Sequence, residues 1–272
     1  MRIINTKPDR VWTIVLACLP FLILLGVYIL ASDARLAVNP NDKLLPSFKS
    51  MGEAITHYAF LPDARTGLYL FWSDTSASLV RLLSALAIST LIALVAGVLI
   101  GLLPLARATF APIVAVASMV PPLALLPILF IVMGLGEASK ITLIVIGTTL
   151  KLVRDLALRV EEIPREQIIK AQTLGASTWQ IATRIVIPQM LPRLIDALRL
   201  EIGPAWLFLI AAEAIAADSG LGYRIFLVRR YLSMDVIIPY VIWITLLAFV
   251  MDAGLRLLQR KAFPWFAKAR AA

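Results

Sequence analysis

Four long apolar runs set the pattern of the chain: residues 12–30, 79–103, 110–133 and 236–258. A membrane-crossing helix needs about 20 mostly apolar residues, so each of the four is long enough to span. Two more runs, 141–153 and 194–217, are shorter or carry polar residues. The pattern therefore predicts an all-α membrane protein with about six transmembrane helices, in a single transmembrane domain over residues 1–272. The first run is longer than the core of a secretion signal and no small-residue cleavage site follows it, so it is read as a retained span.

The segments between the runs have their own logic. Residues 31–75 form a loop too long to be structureless. Within it Ser47 stands as an N-cap, and Phe48, Met51, Ile55 and Tyr58 recur at helical spacing. This predicts a short amphipathic helix, lying on the membrane face or packed on the bundle. The stretch Pro-Asp-Ala-Arg-Thr-Gly at 62–67 is turn chemistry. In the second run, Gly97-Val-Leu-Ile-Gly101 allows two helix backbones to approach closely. The third run holds Pro121, Pro122 and Pro127. Proline removes a backbone donor and clashes with the preceding turn, so this helix must break or kink. Non-helical backbone at membrane depth persists only where it is buried or lines a water-filled cavity. Two readings follow: a structural kink, or a translocation path with Ala124 and Leu125 on its wall.

One polar, structured segment interrupts the apolar pattern, residues 164–188. Pro164 opens a short helix running to about Leu174, with Glu166 in its first turn. Gly175 follows as a stop able to take positive φ. Ser177 caps a second helix, and Gln180 three residues on completes a capping box. On this reading Pro188 ends the second helix and Pro192 opens the fifth span. Leu174, Trp179, Ile181 and Ile185 would give the segment apolar surface, and an ordered apolar knob wants a partner or its own bundle to pack on.

Composition agrees with the pattern. Hydrophobic residues make up 60% of the 272, where soluble domains average about 45–50%. The +9 net charge is unevenly placed. Arg2, Lys7 and Arg10, Arg107, the set from Lys151 to Arg193, and the tail from Arg256 to Arg270 fall on one side. That is roughly twice the number on the other side, which puts both termini in the cytoplasm. The charge is thus explained by orientation and anionic headgroups, with no nucleic acid needed. Cys18 is the one cysteine and His57 the one histidine, and no phosphate-cradling G-x-x-x-x-G-K-[ST] occurs. The chain is expected to bind no cofactor or metal and to carry no catalysis of its own. Charges inside the spans are costly and usually functional. Glu213 is the clearest, expected on a path or in a contact between helices. Glu201 lies twelve residues before it, about 120° away around a helix. Asp252 and Arg256 read as a structural i,i+4 pair.

The knob resembles the signature loop of the membrane subunits of bacterial ABC importers, E-A-A, three residues, G, nine residues, I-x-L-P. Its slots here are Ile169-Lys170-Ala171, Gly175 and Ile185-Val186-Ile187-Pro188. Ile169 and Lys170 replace Glu-Ala, and Ile187 replaces Leu. The departures bear on a polar contact at the first position and leave the loop's geometry alone. From Leu44 onward, segments 44–48, 120–141, 209–225 and 255–265 are also similar to nitrate/sulfonate/taurine-type permeases. The resemblance implies a type I importer fold and a pore of two protomers in a bacterial inner membrane. It implies two separate ATP-binding cassette subunits using ATP and magnesium, and a periplasmic or lipid-anchored substrate-binding protein. It assigns the coupling role to Lys170, Ala171, Leu174, Gly175, Ala176, Ser177, Trp179, Ile185 and Pro188. A lone ion-coupled carrier or membrane enzyme is the alternative; a carrier would show internal repeats and more paired intramembrane charges, and the sequence displays neither.

Overall fold

The computed structural model describes residues 9–40 and 42–269, with side chains through residue 266. Arg2, Lys7, Arg270 and the side chain of Lys268, used above for orientation, lie outside that set. Among the described residues every regular element is helical. Helix α1 is Arg10–Val38, α2 Phe48–Phe60, α3 Leu70–Leu102, α4 Pro104–Ala117, α5 Leu126–Met133 and α6 Glu137–Glu161. Then come α7 Arg165–Thr173, α8 Thr178–Ile181, α9 Ile187–Ala216, α10 Leu221–Arg229, α11 Met234–Ala262 and α12 Pro264–Ala269. Three helices, α1, α3 and α11, are long and apolar enough to cross a membrane alone. Two bent pairs bring the number to as many as five: Pro104–Ala117 with Pro122–Met133 at 82°, and Thr178–Ala216 with Leu221–Arg229 at 55°.

The bundle is organised on α3, α6 and α9. Gly97 and Gly101 make the α3–α6 contact possible. A Cβ on Gly97 would lie 2.8 Å from Leu156 Cβ, and one on Gly101 2.5 Å from Val160 Cβ. On the other face of α6, a Cβ on Gly147 would lie 2.4 Å from the Phe208 ring of α9. Ser89 and Thr148 share a buried hydrogen bond of 2.7 Å between α3 and α6. Gln259 of α11 donates to the Pro192 carbonyl of α9 at 2.7 Å. Tyr58 of α2, Phe71 of α3 and Tyr240 of α11 interlock edge to face. The loop helix α2, capped by Ser47 as expected, thus packs on the bundle.

At one end Arg81, Glu137, Lys140 and Glu213 meet. Toward the other end the charges are spread along the helices: Arg199 pairs with Asp196 and Asp252, Asp252 with Arg256, Arg159 with Asp155, Arg107 with Glu161 and Arg193 with Glu162.

The fold shows one expected break and revises the roles of two prolines. The run at 110–133 is broken, as its prolines require: α4 ends, Pro121 is extended, Pro122–Leu125 form one 3₁₀ turn, and α5 starts. Pro188 does not end the knob's second helix, and Pro192 lies inside α9 instead of opening it. A π-helical turn, Ala182–Val186, joins α8 to α9 without a stop, the Ile187 N–H reaching back to the Ala182 carbonyl. A π turn lets carbonyls bond five residues on, so it absorbs the donor that proline lacks. Finally, α1 stands apart. None of its apolar window is buried within the chain, and it is held at one end by Tyr28 to the Pro46 carbonyl, Ser32 to Leu45, and Arg35 to Asp42.

Replacing Gly101 by Ala should lower the unfolding temperature in detergent, by the about 1–3 kcal/mol typical of overpacking. Gly26→Ala, with nothing within 4 Å, should leave it unchanged in the same melt.

Candidate functional site

The knob is built by local rules. Helix α7 ends in a paired closure: Ala176 N–H donates to the Ala171 carbonyl at 3.0 Å and Gly175 N–H to Gln172 at 2.9 Å. This closure needs a left-handed residue at the turn, and Gly175 has φ +79°. Ser177 accepts from the Gln180 N–H at 3.3 Å while the Gln180 side chain accepts from the Ser177 N–H at 2.8 Å. Ala171 and Ala176 pack back on the inner cluster formed by Leu156, Val160 and Met190. Lys170, Gly175 and Ser177 are exposed, Ile185 and Pro188 half-buried. Leu174 is 80% and Trp179 76% exposed, with Ile169 beside them in the same short segment. Ile181, expected on this apolar surface, is instead buried, because the second helix turns that face to α9. The result is a two-helix projection with a Leu–Trp tip, joined through the π turn to α9.

The broken turn sits on α6 and α9. Pro121, Ala124 and Pro127 are exposed, Pro122 and Leu125 half-buried, and Leu126 enters the core beside Leu143 and Leu209.

Glu213 is fully enclosed. Arg81 Nη1 reaches Glu213 Oε1 at 2.7 Å, Ser78 Oγ donates to the carboxylate at 2.8 Å, and Gly222 N–H donates to Oε2 at 2.8 Å. The carboxylate therefore serves α3, α9 and α10 at once and has no surface left for a passing solute. The neighbouring backbone donors are satisfied the same way. Gly220 N–H goes to Asp74 Oδ1 at 2.9 Å and Leu221 N–H to Ser78 Oγ at 2.8 Å. Gly220, at φ +130°, lies so close that a Cβ would sit 2.4 Å from Glu213 Oε1. Arg81 also binds Glu137 and the Ser219 carbonyl, and Asp74 holds Arg224 at 2.7 Å. Arg81 escaped sequence reasoning. Its signal was a lone cation in an apolar run, matched by Glu213, a distant carboxylate in another apolar run. Among the described residues no group of three or more His, Cys, Asp or Glu could hold a metal ion.

The chain is a helical bundle with two bent helix pairs and a two-helix projection at one end. The same fold is found in the inward-facing MetNI methionine ABC transporter, with TM-score 0.63, 20% identity, and coverage of 73% of this chain and 99% of that one. Residues 89–264 match the family model described as binding-protein-dependent transport system inner membrane component, and the chain belongs to that family. It is 37% identical over 194 residues to the taurine transport system permease protein TauC of Escherichia coli (strain K12), covering 71% of this chain and 70% of that protein. It is 31% identical to a putative ABC transporter permease protein of Methanocaldococcus jannaschii, covering 96% and 94%. It is therefore a membrane permease component of an ATP-driven importer, with no catalysis of its own, and ATP is hydrolysed by a separate subunit.

Arg81→Leu should leave the Glu213 carboxylate buried without its counter-charge. Breaking a buried pair costs about 3–5 kcal/mol, so the folded, monodisperse fraction in detergent chromatography should collapse. Glu213→Gln keeps the Ser78 and Gly222 contacts and should reduce that fraction far less.

Proposed function

We propose that this chain forms one half of a two-protomer pore in a bacterial inner membrane, most simply a homodimer. The three long apolar helices, the two bent pairs and α6 would make six spans, with both termini cytoplasmic. Two ATP-binding cassette subunits would dock at the knob end, and a periplasmic or lipid-anchored binding protein at the Arg81 end. The solute would be small and polar, of the nitrate, sulfonate, taurine or bicarbonate kind. ATP and magnesium belong to the cassette subunits.

The observation that carries this reading is the knob itself. Its exposed Leu174 and Trp179 offer a compact apolar tip of the kind that anchors an interface. Its paired α7 closure and capping box make it stiff, and the π turn makes it continuous with α9. A push on the tip by a closing cassette subunit would move α9, and with α9 the α3–α6 pair, from an inward-open to an outward-open arrangement. A floppy loop would absorb the same push.

The broken turn is the proposed wall of the path. Cysteine at Ala124 or Leu125, in a chain whose Cys18 is replaced by Ser, should react with a water-soluble thiol reagent, and the rate should change when ATP and loaded binding protein are added. Inertness in every state would leave only a kink.

Coupling is tested at Gly175. A β-branched residue at φ +79° costs on the order of 1–2 kcal/mol, small for the bundle and large for a docked knob. Gly175→Val should insert and fold, yet lose stimulation of ATP hydrolysis by loaded binding protein in reconstituted vesicles. Trp179→Ala should weaken capture of the cassette subunit in a pull-down. Full stimulation and full binding in both variants would overturn the coupling role.

A further inference from the structure

Beside the knob the fold leaves a notch of about 360 Å³. Its walls are the α3–α4 corner at Leu102 and Pro104, the end of α6 at Ile163, and the first turns of α7 at Ile168 and Ile169. Three charged side chains also line it: Arg107, Glu161 and Arg165. A space of this size lies at the small end of ligand sites and admits a side chain or two.

The charges in the notch do not cancel. Arg107 and Glu161 face each other, with Arg107 Nε 3.1 Å from Glu161 Oε1. Nε is nonetheless buried without a hydrogen bond, and Nη2 is spent on the Gly101 carbonyl at 2.5 Å. Arg165 is exposed, and among the described residues its side chain enters no ion pair or hydrogen bond. The other carboxylates nearby are placed elsewhere. Glu162 holds Arg193 at 2.7 Å. Glu166 is the next residue of α7, and side chains one apart on a helix do not face each other. The notch therefore holds one positive charge more than its own carboxylate offsets.

Position 169 accounts for the free cation. Residues 165 and 169 are i,i+4 on α7 and share a face. The loop pattern described above has Glu in this slot, and a Glu here would pair with Arg165 within the helix. This chain has Ile169 instead, 57% exposed, which offers apolar surface and no counter-charge. A free guanidinium thus stands beside an exposed apolar side chain at a preformed notch, on the same projection as Leu174 and Trp179.

We propose that the notch takes an acidic side chain of the cassette subunit, its carboxylate paired with Arg165 and its stem lying on Ile169. A guanidinium binds a carboxylate through two parallel N–H donors, so the contact fixes direction as well as charge. Continuity with the knob selects this partner, which already covers Leu174 and Trp179, over a phosphate from lipid or solution. The inference rests on the coupling reading and goes beyond it in two respects. It sets the sign of charge that the partner presents. It also adds a second hold: a side chain in the notch touches the α3–α4 corner as well as α7, so closure of the cassette subunit reaches α3 directly and not only through α9.

The test is capture of the cassette subunit by this chain in detergent, with ATP hydrolysis by the whole transporter followed in vesicles. Arg165→Glu should weaken capture about tenfold, the scale of one charged hydrogen bond. Ile169→Glu should weaken it similarly, by claiming Arg165 within the helix, and Ile169→Gln should weaken it less. A scan that places Lys at the surface carboxylates of the cassette subunit should contain a position that restores capture to the Arg165→Glu chain. Failure of every such position, or full capture by both Arg165→Glu and Ile169→Glu, would overturn the notch assignment. A loss seen only in vesicles and graded by their phosphatidylglycerol content would mark a lipid headgroup, and competition by inorganic phosphate alone a free anion; either overturns it too. These outcomes, with capture still weakened by Trp179→Ala, leave the coupling reading standing. A wild-type chain that captures no cassette subunit would remove both.

Discussion

A helix that breaks inside a membrane frees backbone groups that lipid cannot satisfy. The structure meets this constraint with polar side chains where α9 gives way to α10. At the α9–α10 break the N–H groups of Gly220, Leu221 and Gly222 are taken by Asp74, Ser78 and Glu213. Arg81 then compensates Glu213 and accepts a second duty at Glu137 and Ser219. At the knob the missing donor of Pro188 is absorbed by a change of helical period instead of a side chain. Without these closures the bundle would hold water or fall apart at its bends.

The closures leave a body with few soft places. Gly97, Gly101 and Gly147 bring α3, α6 and α9 so close that no intermediate spacing exists between packed and clashing. Such interfaces shift between discrete arrangements and do not flex continuously. The knob is continuous with that body through α9, so its displacement becomes the displacement of the three-helix spine. In contrast α1 shares almost none of this packing and touches the chain at its loop end.

Much of this was legible in the sequence, and the limits were physical. Apolar runs of span length marked α1, α3 and α11. Ser177 with Gln180, and Gly175 with its left-handed φ, were legible because caps and turns are decided within four residues. Arg81 was not, since its partners lie 56 and 132 residues away and no local pattern links them. Pro188 was misread because the rule that proline ends helices assumes an α period, and a π turn evades it. Ile181 was taken as surface because composition alone cannot say which face of a four-residue helix turns inward.

The spread of Arg81's partners along the chain also sets an order of assembly. Synthesis runs at about 5–20 residues per second, so Arg81 is made roughly 3–11 s before Glu137 and about 7–26 s before Glu213. During that interval α3 carries an unpaired cation, at a cost below the about 2.5–3.5 kcal/mol of a charge at a helix centre because Arg81 lies toward one end. Glu137 arrives first, beside the start of α6, and gives Arg81 a provisional counter-charge while the rest is still on the ribosome. Glu213 comes last, together with the glycines that close around it. The carboxylate that ends up most deeply enclosed is thus the final latch of biogenesis, and a nascent chain released before residue 222 has every span through most of α9 but no means of locking them.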